Sequence, residues 1–189
     1  MIRLTEYVHQ RLAQVIPRGA YVFDLTAGNG HDTLFLAEWV GPTGYVWAFD
    51  IQAQAIEKTR TRLVEQGYRH VELFQADHSL LDQYVPVDWK GKISAVVMNL
   101  GFLPNSDRVI ITRAETTQIA LEKASEYLAP RGVLSVTAYR GHAGALEEYE
   151  VVQDWFESKN TEWQIEKIIS DEGHAQSPVL WWAEKRAGS

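Results

Sequence analysis

Residues 22–32 read Val-Phe-Asp-Leu-Thr-Ala-Gly-Asn-Gly-His-Asp: an apolar run ends in Asp24, breaks into a glycine turn and enters a helix-like stretch. Gly28 and Gly30 let the backbone turn tightly and lie close against a ligand, where a side chain would obstruct it. The helix that follows points free amide groups at the same place. Twenty residues after Gly30 a second apolar run, Tyr45 to Phe49, ends in Asp50, placed as an acid that accepts hydrogen bonds from ribose hydroxyls. Strand, glycine turn, helix, strand and acid predict a nucleoside cofactor. For the two glycines alone, a tight structural turn is the competing explanation.

Working outward, Leu4, Val8, Leu12 and Val15 recur at helical spacing and predict an amphipathic N-terminal helix ended by Pro17 and Gly19. Strands are expected near 21–25, 45–49, 71–75, 93–98, 133–138, 163–169 and 178–184. Helices are expected near 31–40, 53–66, 112–128 and 145–157. The run Ile93 to Met98 is apolar at almost every position, as a central strand covered on both faces should be. Such alternation predicts an α/β, Rossmann-like fold: a mainly parallel seven-stranded sheet with helices on both faces, ligands binding along the strand C-terminal edge. Only the loop Ser170 to Ser177 separates the last two strands, so an antiparallel C-terminal hairpin is expected.

Composition sets the outer bounds. The chain has 189 residues, 46% of them hydrophobic, which fits one domain spanning 1–189 with a sizeable core. Apolar runs stop short of a membrane span, and the first residues, with Arg3, Glu6, His9 and Arg11, lack the apolar stretch of a signal peptide; a cytoplasmic protein is expected. There is no cysteine, and the six histidines form no His-x-x-x-His pair, so neither disulfides nor a built-in metal site is expected. Net charge is −7, which argues against a nucleic-acid partner. The excess is local, however: residues 1–142 hold 14 Lys and Arg against 15 Asp and Glu, whereas residues 143–189 hold 4 against 10. A basic face from Lys58, Arg60, Arg62 and Arg69, or from Arg108, Arg113, Arg131 and Arg140, stays open beside the reading of ordinary solvated side chains. The seven tryptophans suit a core or a homodimer interface equally.

The glycine turn also bears on the kind of cofactor. A dinucleotide fingerprint wants a third glycine three residues after Gly30, and this chain has Thr33. An acid ending the first strand, followed by Ala-Gly-Asn-Gly, instead resembles the first motif of class I methyltransferases, which bind S-adenosylmethionine (SAM). That resemblance implies that Asp24 and the turn backbone, with Thr26, Gly28, Asn29, Gly30 and Asp32, hold the methionine end of the cofactor. It implies too that Asp77, after the third strand, caps the adenine amino group. His78 beside it stacks, hydrogen-bonds or merely caps the next helix, and Gln52 contacts the nucleoside or caps its own helix.

Asn99-Leu100-Gly101-Phe102 stands where amino-group methyltransferases carry Asn-Pro-Pro-aromatic, keeping the Asn and the ring without the prolines. The resemblance implies that Asn99, also counted among the cofactor-binding residues, and the Leu100 carbonyl orient a target amine while Phe102 stacks on a base. The loss of the prolines shifts the expected target from a planar exocyclic amine toward an alkyl amine or another nucleophile. A plain turn after a buried strand is the structural alternative. At the end of the fifth strand, Tyr139, Arg140, Gly141 and His142 form a glycine-flanked loop suited to face a substrate. His142 is a candidate proton acceptor or a hydrogen-bonded loop histidine.

The motif Asp-x-Thr-x-Gly-Asn-Gly-His-Asp-Thr at 24–33, Asn-Leu-Gly-Phe-Leu-Pro at 99–104, Thr116-Thr117, Tyr-x-Gly-His-x-Gly at 139–144 with Glu147-Glu148, and Glu184-Lys185 together resemble the YtqB/MnmM-like family over nearly the whole chain. That family is labelled ribosomal RNA methylases and is associated with wobble-uridine methylation of tRNA. The resemblance implies SAM-dependent methylation of the 5-aminomethyl nitrogen of 2-thiouridine 34 in the tRNA anticodon loop. One stretch departs from it: the family tends to an Asn-x-Pro-Pro-like loop before the last strand, where this chain has Ala175-Gln176-Ser177-Pro178. Two other classes stay in view, a SAM enzyme acting on a small metabolite amine and a non-catalytic SAM-binding protein. A dehydrogenase is disfavoured by Thr33.

Overall fold

The computed structural model describes residues 3–101, 112–141 and 144–188. Within them seven strands form one sheet in the order β3-β2-β1-β4-β5-β7-β6. Strands β1 (Tyr21–Asp24), β2 (Tyr45–Asp50), β3 (Val71–Gln75), β4 (Ile93–Asn99) and β5 (Leu128–Ala138) run parallel. The last two, β6 (Trp163–Ile169) and β7 (Val179–Lys185), pair antiparallel, and β7 lies antiparallel against β5, leaving β6 at the edge. This is the expected class I methyltransferase arrangement with its C-terminal hairpin.

Each central strand sends alternate residues to opposite faces. Val22, Val46, Ala95 and Val97 meet α1 (Leu4–Val15), α2 (His31–Val40) and α3 (Ala53–Gln66) through Leu12, Leu36 and Leu63. Phe23, Trp47, Val96 and Met98 meet α4 (Leu81–Tyr84), α5 (Ala114–Tyr127) and α6 (Ala145–Ser158) through Leu81, Leu121 and Val152. Five tryptophans, 47, 155, 163, 181 and 182, are buried in these two layers, so they serve the core. Among the described residues no helix is long and apolar enough to cross a membrane.

Three expectations need adjusting. Val15 is the last helical residue and is exposed, while Ile16, extended at the helix C-cap, turns inward and is buried in its place. Strand β5 begins at Leu128, five residues earlier than periodicity suggested, because Pro130, Arg131 at φ 64° and Gly132 form an irregularity that keeps Leu128 paired with Ile93 and Val133 with Ala95. The stretch between β3 and β4 adds α4 and two 3₁₀ turns, His78–Leu80 and Val87–Trp89, too short to show a period.

Gly44 sits where the chain enters β2, and a Cβ there would lie 2.6 Å from both the Ala20 carbonyl oxygen and Val40 Cβ. Backbone and a β-branched core residue cannot move aside cheaply. Gly44→Ala is expected to cost about 2 kcal/mol or more, read as a lower urea midpoint at unchanged m-value.

Candidate active site

The strand order reverses between β1 and β4, and there the ends of β1 to β4 and their following loops enclose a cavity of about 800 Å³. Ligands of open α/β sheets bind at such a reversal. Asp32, Asp50, Asp77 and Asn99 supply its polar wall, and Leu25, Ala27, Ile51, Ala76 and Leu100 an apolar one.

The turn after β1 is built on Asp24. Its carboxylate has no exposed surface and accepts from the Thr33 hydroxyl at 2.5 Å and the Thr26 amide at 3.2 Å. Asp24 therefore lies beneath the turn rather than on the cavity wall, and the expectation that it holds a ligand directly is corrected: its oxygens face Thr33 and Thr26. Thr33 occupies the place of a fingerprint glycine because a hydroxyl is needed there. Burial, with the charges of Asp32 and Asp50, pushes the Asp24 carboxyl up to about 7 against the lowering effect of its two hydrogen bonds.

The two glycines play different parts. Gly28 lines the cavity at φ 52° and donates its N–H to Asp50 Oδ2 at 2.8 Å. Gly30 does not line it: a Cβ there would lie 2.8 Å from Thr59 Oγ1, so this glycine lets α3 pack against the turn rather than a ligand. Asn29 lines the cavity and is gripped by α3, through Lys58 Nζ to its Oδ1 at 2.7 Å and Arg62 to its carbonyl at 2.8 Å. Two members of the expected basic face are thus already engaged with the turn.

Asp50 accepts the Gln52 amide on its other oxygen at 2.9 Å, and burial raises its carboxyl despite both backbone bonds. Gln52 lines the cavity, and its side chain makes no capping bond. Asp77 caps the following 3₁₀ turn through Ser79 N at 2.8 Å while also lining the cavity, so the capping role considered for His78 belongs to its neighbour. His78 is a buried part of the wall, its Nε2 has no hydrogen-bond partner, and burial holds its imidazole below the usual range.

Asn99 is held at two points. Its N–H donates to Thr26 Oγ1 at 2.6 Å, and its side-chain Nδ2 donates to Asp32 Oδ2 at 2.6 Å. The amide thus bonds to Asp32 rather than to its own backbone, and its carbonyl oxygen has no partner among the described residues. Asp32 Oδ1 lies 2.6 Å from His9 Nε2. Leu100 and Gly101 line the cavity, with Gly101 at φ 132° closing on Thr112 through its N–H to Thr112 Oγ1 at 2.7 Å. Tyr139 stands at the wall, and burial and the Asp32 charge push its phenol up.

Arg140 and Gly141 are not on the cavity wall. Arg140 Nε donates to the Ser177 carbonyl at 2.9 Å and its guanidinium lies over the Tyr149 ring, which turns it toward the 170–178 loop. Gly141 likewise faces Gln176. Phe102 and His142 lie outside the described residues. Thr5, His31, Thr112, Arg113 and Thr116 also line the cavity and were not assigned to it from sequence. They arrive from α1, the start of α2 and the segment entering α5, whose convergence no spacing announces. Among the described residues no cluster of His, Asp and Glu could hold a metal ion.

Asp24 binds protons more tightly folded than unfolded, so its contribution to stability is full below about pH 4 and is lost as pH rises toward about 7. Urea denaturation from pH 4 to 8 should show Asp24→Asn losing less stability across that window than the parent chain does. Thr33→Val, which strips the hydroxyl from a buried carboxylate, should cost about 1–3 kcal/mol at pH 8.

The cavity fits an adenosyl amino acid: its volume suits a ligand of that size, acids stand at the ends of β2 and β3, and a buried His78 nitrogen in the wall has no hydrogen-bond partner among the described residues. The chain matches the family described as "Putative rRNA methylase" over residues 46–184. It is 41% identical over 160 residues to an Arabidopsis thaliana protein named tRNA (mnm(5)s(2)U34)-methyltransferase, chloroplastic, the match covering 80% of this chain and 58% of the relative. The chain thus spans little more than half of that relative's length. Among solved structures, a "putative rRNA-methylase" from Clostridium thermocellum superposes with TM-score 0.90 at 34% identity, covering 98% of each chain. A "putative methyltransferase" from Streptococcus mutans in complex with SAH superposes with TM-score 0.85 at 30% identity, covering 98% of this chain and 99% of that one. With the fold, the acid-lined cavity and the family match over residues 46–184 agreeing, the chain belongs to this rRNA methylase family of SAM-dependent methyltransferases.

Proposed function

We propose that this chain methylates tRNA, and that its target is the 5-aminomethyl nitrogen of 2-thiouridine at wobble position 34 (nm5s2U to mnm5s2U). The observation that carries the reading is the 41% identity over 160 residues with a relative whose name specifies that nucleoside. The geometry supports an amine as methyl acceptor: the Asn99 amide nitrogen is committed to Asp32, which leaves the amide oxygen to accept from an incoming N–H.

SAM, when bound, supplies an electrophilic methyl group on a sulfonium sulfur. In this reading Asp50 would hold the ribose hydroxyls, Asp77 the adenine amino group, and Thr26, Gly28 and Asn29 the amino-acid end. Gln52 and His78 would border the nucleoside. The Asn99 and Leu100 carbonyls would accept hydrogen bonds from the amine N–H groups and so aim its lone pair; orientation of this kind can supply about 7 kcal/mol or more. Tyr139 stands close by, and Phe102 and His142 are carried as base-stacking and proton-accepting candidates.

An alkyl ammonium has no lone pair to offer, and neighbouring carboxylates favour the charged form. One feature of the cavity weakens that pull: its apolar wall penalises a buried charge.

The net charge of −7 favours a second reading, a small metabolite amine as substrate. The two separate by salt: tRNA binding falls steeply as salt rises, whereas a small substrate is indifferent.

Methyl transfer from labelled SAM to bulk tRNA from cells lacking this protein should place label in mnm5s2U on nucleoside mass analysis. SAM binding without tRNA labelling would overturn the reading in favour of the metabolite enzyme or a non-catalytic binder. Asn99→Ala should lower kcat roughly 100-fold while SAM binding, followed calorimetrically, persists.

A further inference from the structure

We infer that His9, on the N-terminal helix, is a positioning residue for methyl transfer that acts through Asp32 on the Asn99 amide. The inference rests on the reading of Asn99 as the acceptor that orients the amine. His9 does not line the cavity, but Thr5, four residues earlier on the same helix face, does. Helix α1 therefore closes one side of the site, with His9 one turn behind the wall.

The geometry is a row of three side chains. One Asp32 oxygen accepts from Asn99 Nδ2 at 2.6 Å and the other lies 2.6 Å from His9 Nε2. A carboxylate has no proton to give when ionised, so His9 must be the donor at Nε2, as the neutral Nε2–H tautomer or the imidazolium. The ring's plane is set from elsewhere: it stacks on Phe35 with centroids 3.9 Å apart and planes within 4°. His9 and Asp32 side chains are 22% and 13% exposed, so water competes weakly for these bonds.

The row decides which end of the Asn99 amide faces a substrate. An amide can turn over and exchange its oxygen and nitrogen, which would present donors where an amine needs an acceptor. An anionic Asp32 accepts only from the nitrogen, so it fixes the amide with oxygen outward. Asp32 held by Asn99 alone could swing about its own side-chain torsion and carry the amide along. His9 pins the second oxygen. It also supplies the basic partner to an acid whose charge already acts on Asp24 and Tyr139.

A structural anchor between α1 and α2 would use the same bond, so the test must separate anchoring from positioning. His9→Phe keeps a ring against Phe35 and removes the donor; His9→Gln keeps an N–H donor. The expected result for His9→Phe is a drop in kcat of roughly tenfold with KM for tRNA, SAM affinity and melting temperature near those of the parent. His9→Gln should restore most of kcat. Parent-like kcat in His9→Phe, or a loss that merely follows the fall in stability and SAM binding, would overturn the inference.

A second readout needs no substrate. In nuclear magnetic resonance spectra of the ligand-free protein, the Asn99 side-chain NH2 signals, assigned by their loss in Asn99→Ala, should be protected from solvent exchange in the parent and His9→Gln. In His9→Phe that protection should be lost. Unchanged protection overturns the coupling. Should His9→Phe fail to fold, His9→Ala takes its place in both measurements. If the parent transfers no methyl group to tRNA, the wobble reading fails by itself, and the resonance comparison still decides whether His9 governs Asn99.

Discussion

A carboxylate without solvent organises this site. Asp24 ends β1 inside the protein and takes its hydrogen bonds from Thr33 at the start of α2 and from the amide of Thr26. The Thr26 hydroxyl in turn accepts the backbone N–H of Asn99 at the end of β4. One buried acid thereby fixes the turn after the first strand and, through a threonine, the exit of its neighbour in the sheet. A buried carboxylate is costly unless bonded, which is why the turn and the start of α2 must both be in place to supply its two partners.

Around that anchor the cavity has an unusual electrostatic balance. Asp32, Asp50 and Asp77 stand in its wall, whereas Arg113 is its one Lys or Arg among the described residues. Such a wall suits a cationic ligand, and the charge is moderated rather than neutralised: burial raises Asp24 and Asp50, His9 pairs with Asp32, and backbone amides occupy Asp50. Several basic side chains that would be counted toward a nucleic-acid surface are used internally. Lys58 and Arg62 clamp Asn29, and Arg140 ties β5 to the loop before β7.

The frame of the fold was legible because it rests on local periodicity. Helices α2 and α3 begin and end at the expected residues, since glycine follows each one, and the apolar run of β4 marks the sheet centre. The irregular start of β5 was not legible, because Pro130 and Gly132 read as breakers and only pairing with Ile93 keeps that stretch in the sheet. The short helices after β3 escaped for lack of length.

The sequence by itself determined the mainly parallel seven-stranded sheet with its C-terminal hairpin, the ligand edge at the strand C-termini, and the acids at 50 and 77 and the amide at 99 that stand there, because each follows a strand whose end the topology brings to one place. What only tertiary structure decided is who each side chain meets. Thr33 reads as a missing glycine until Asp24 is seen beneath it, Gly30 serves α3 rather than a ligand, and Arg140 turns from the cavity to the last loop. His9 reads as one polar residue in an amphipathic helix, and it reaches Asp32, and through it Asn99, only because α1 packs against α2. Spacing along the chain encodes faces and ends of elements; contacts between side chains 23 and 67 residues apart depend on how those elements are packed.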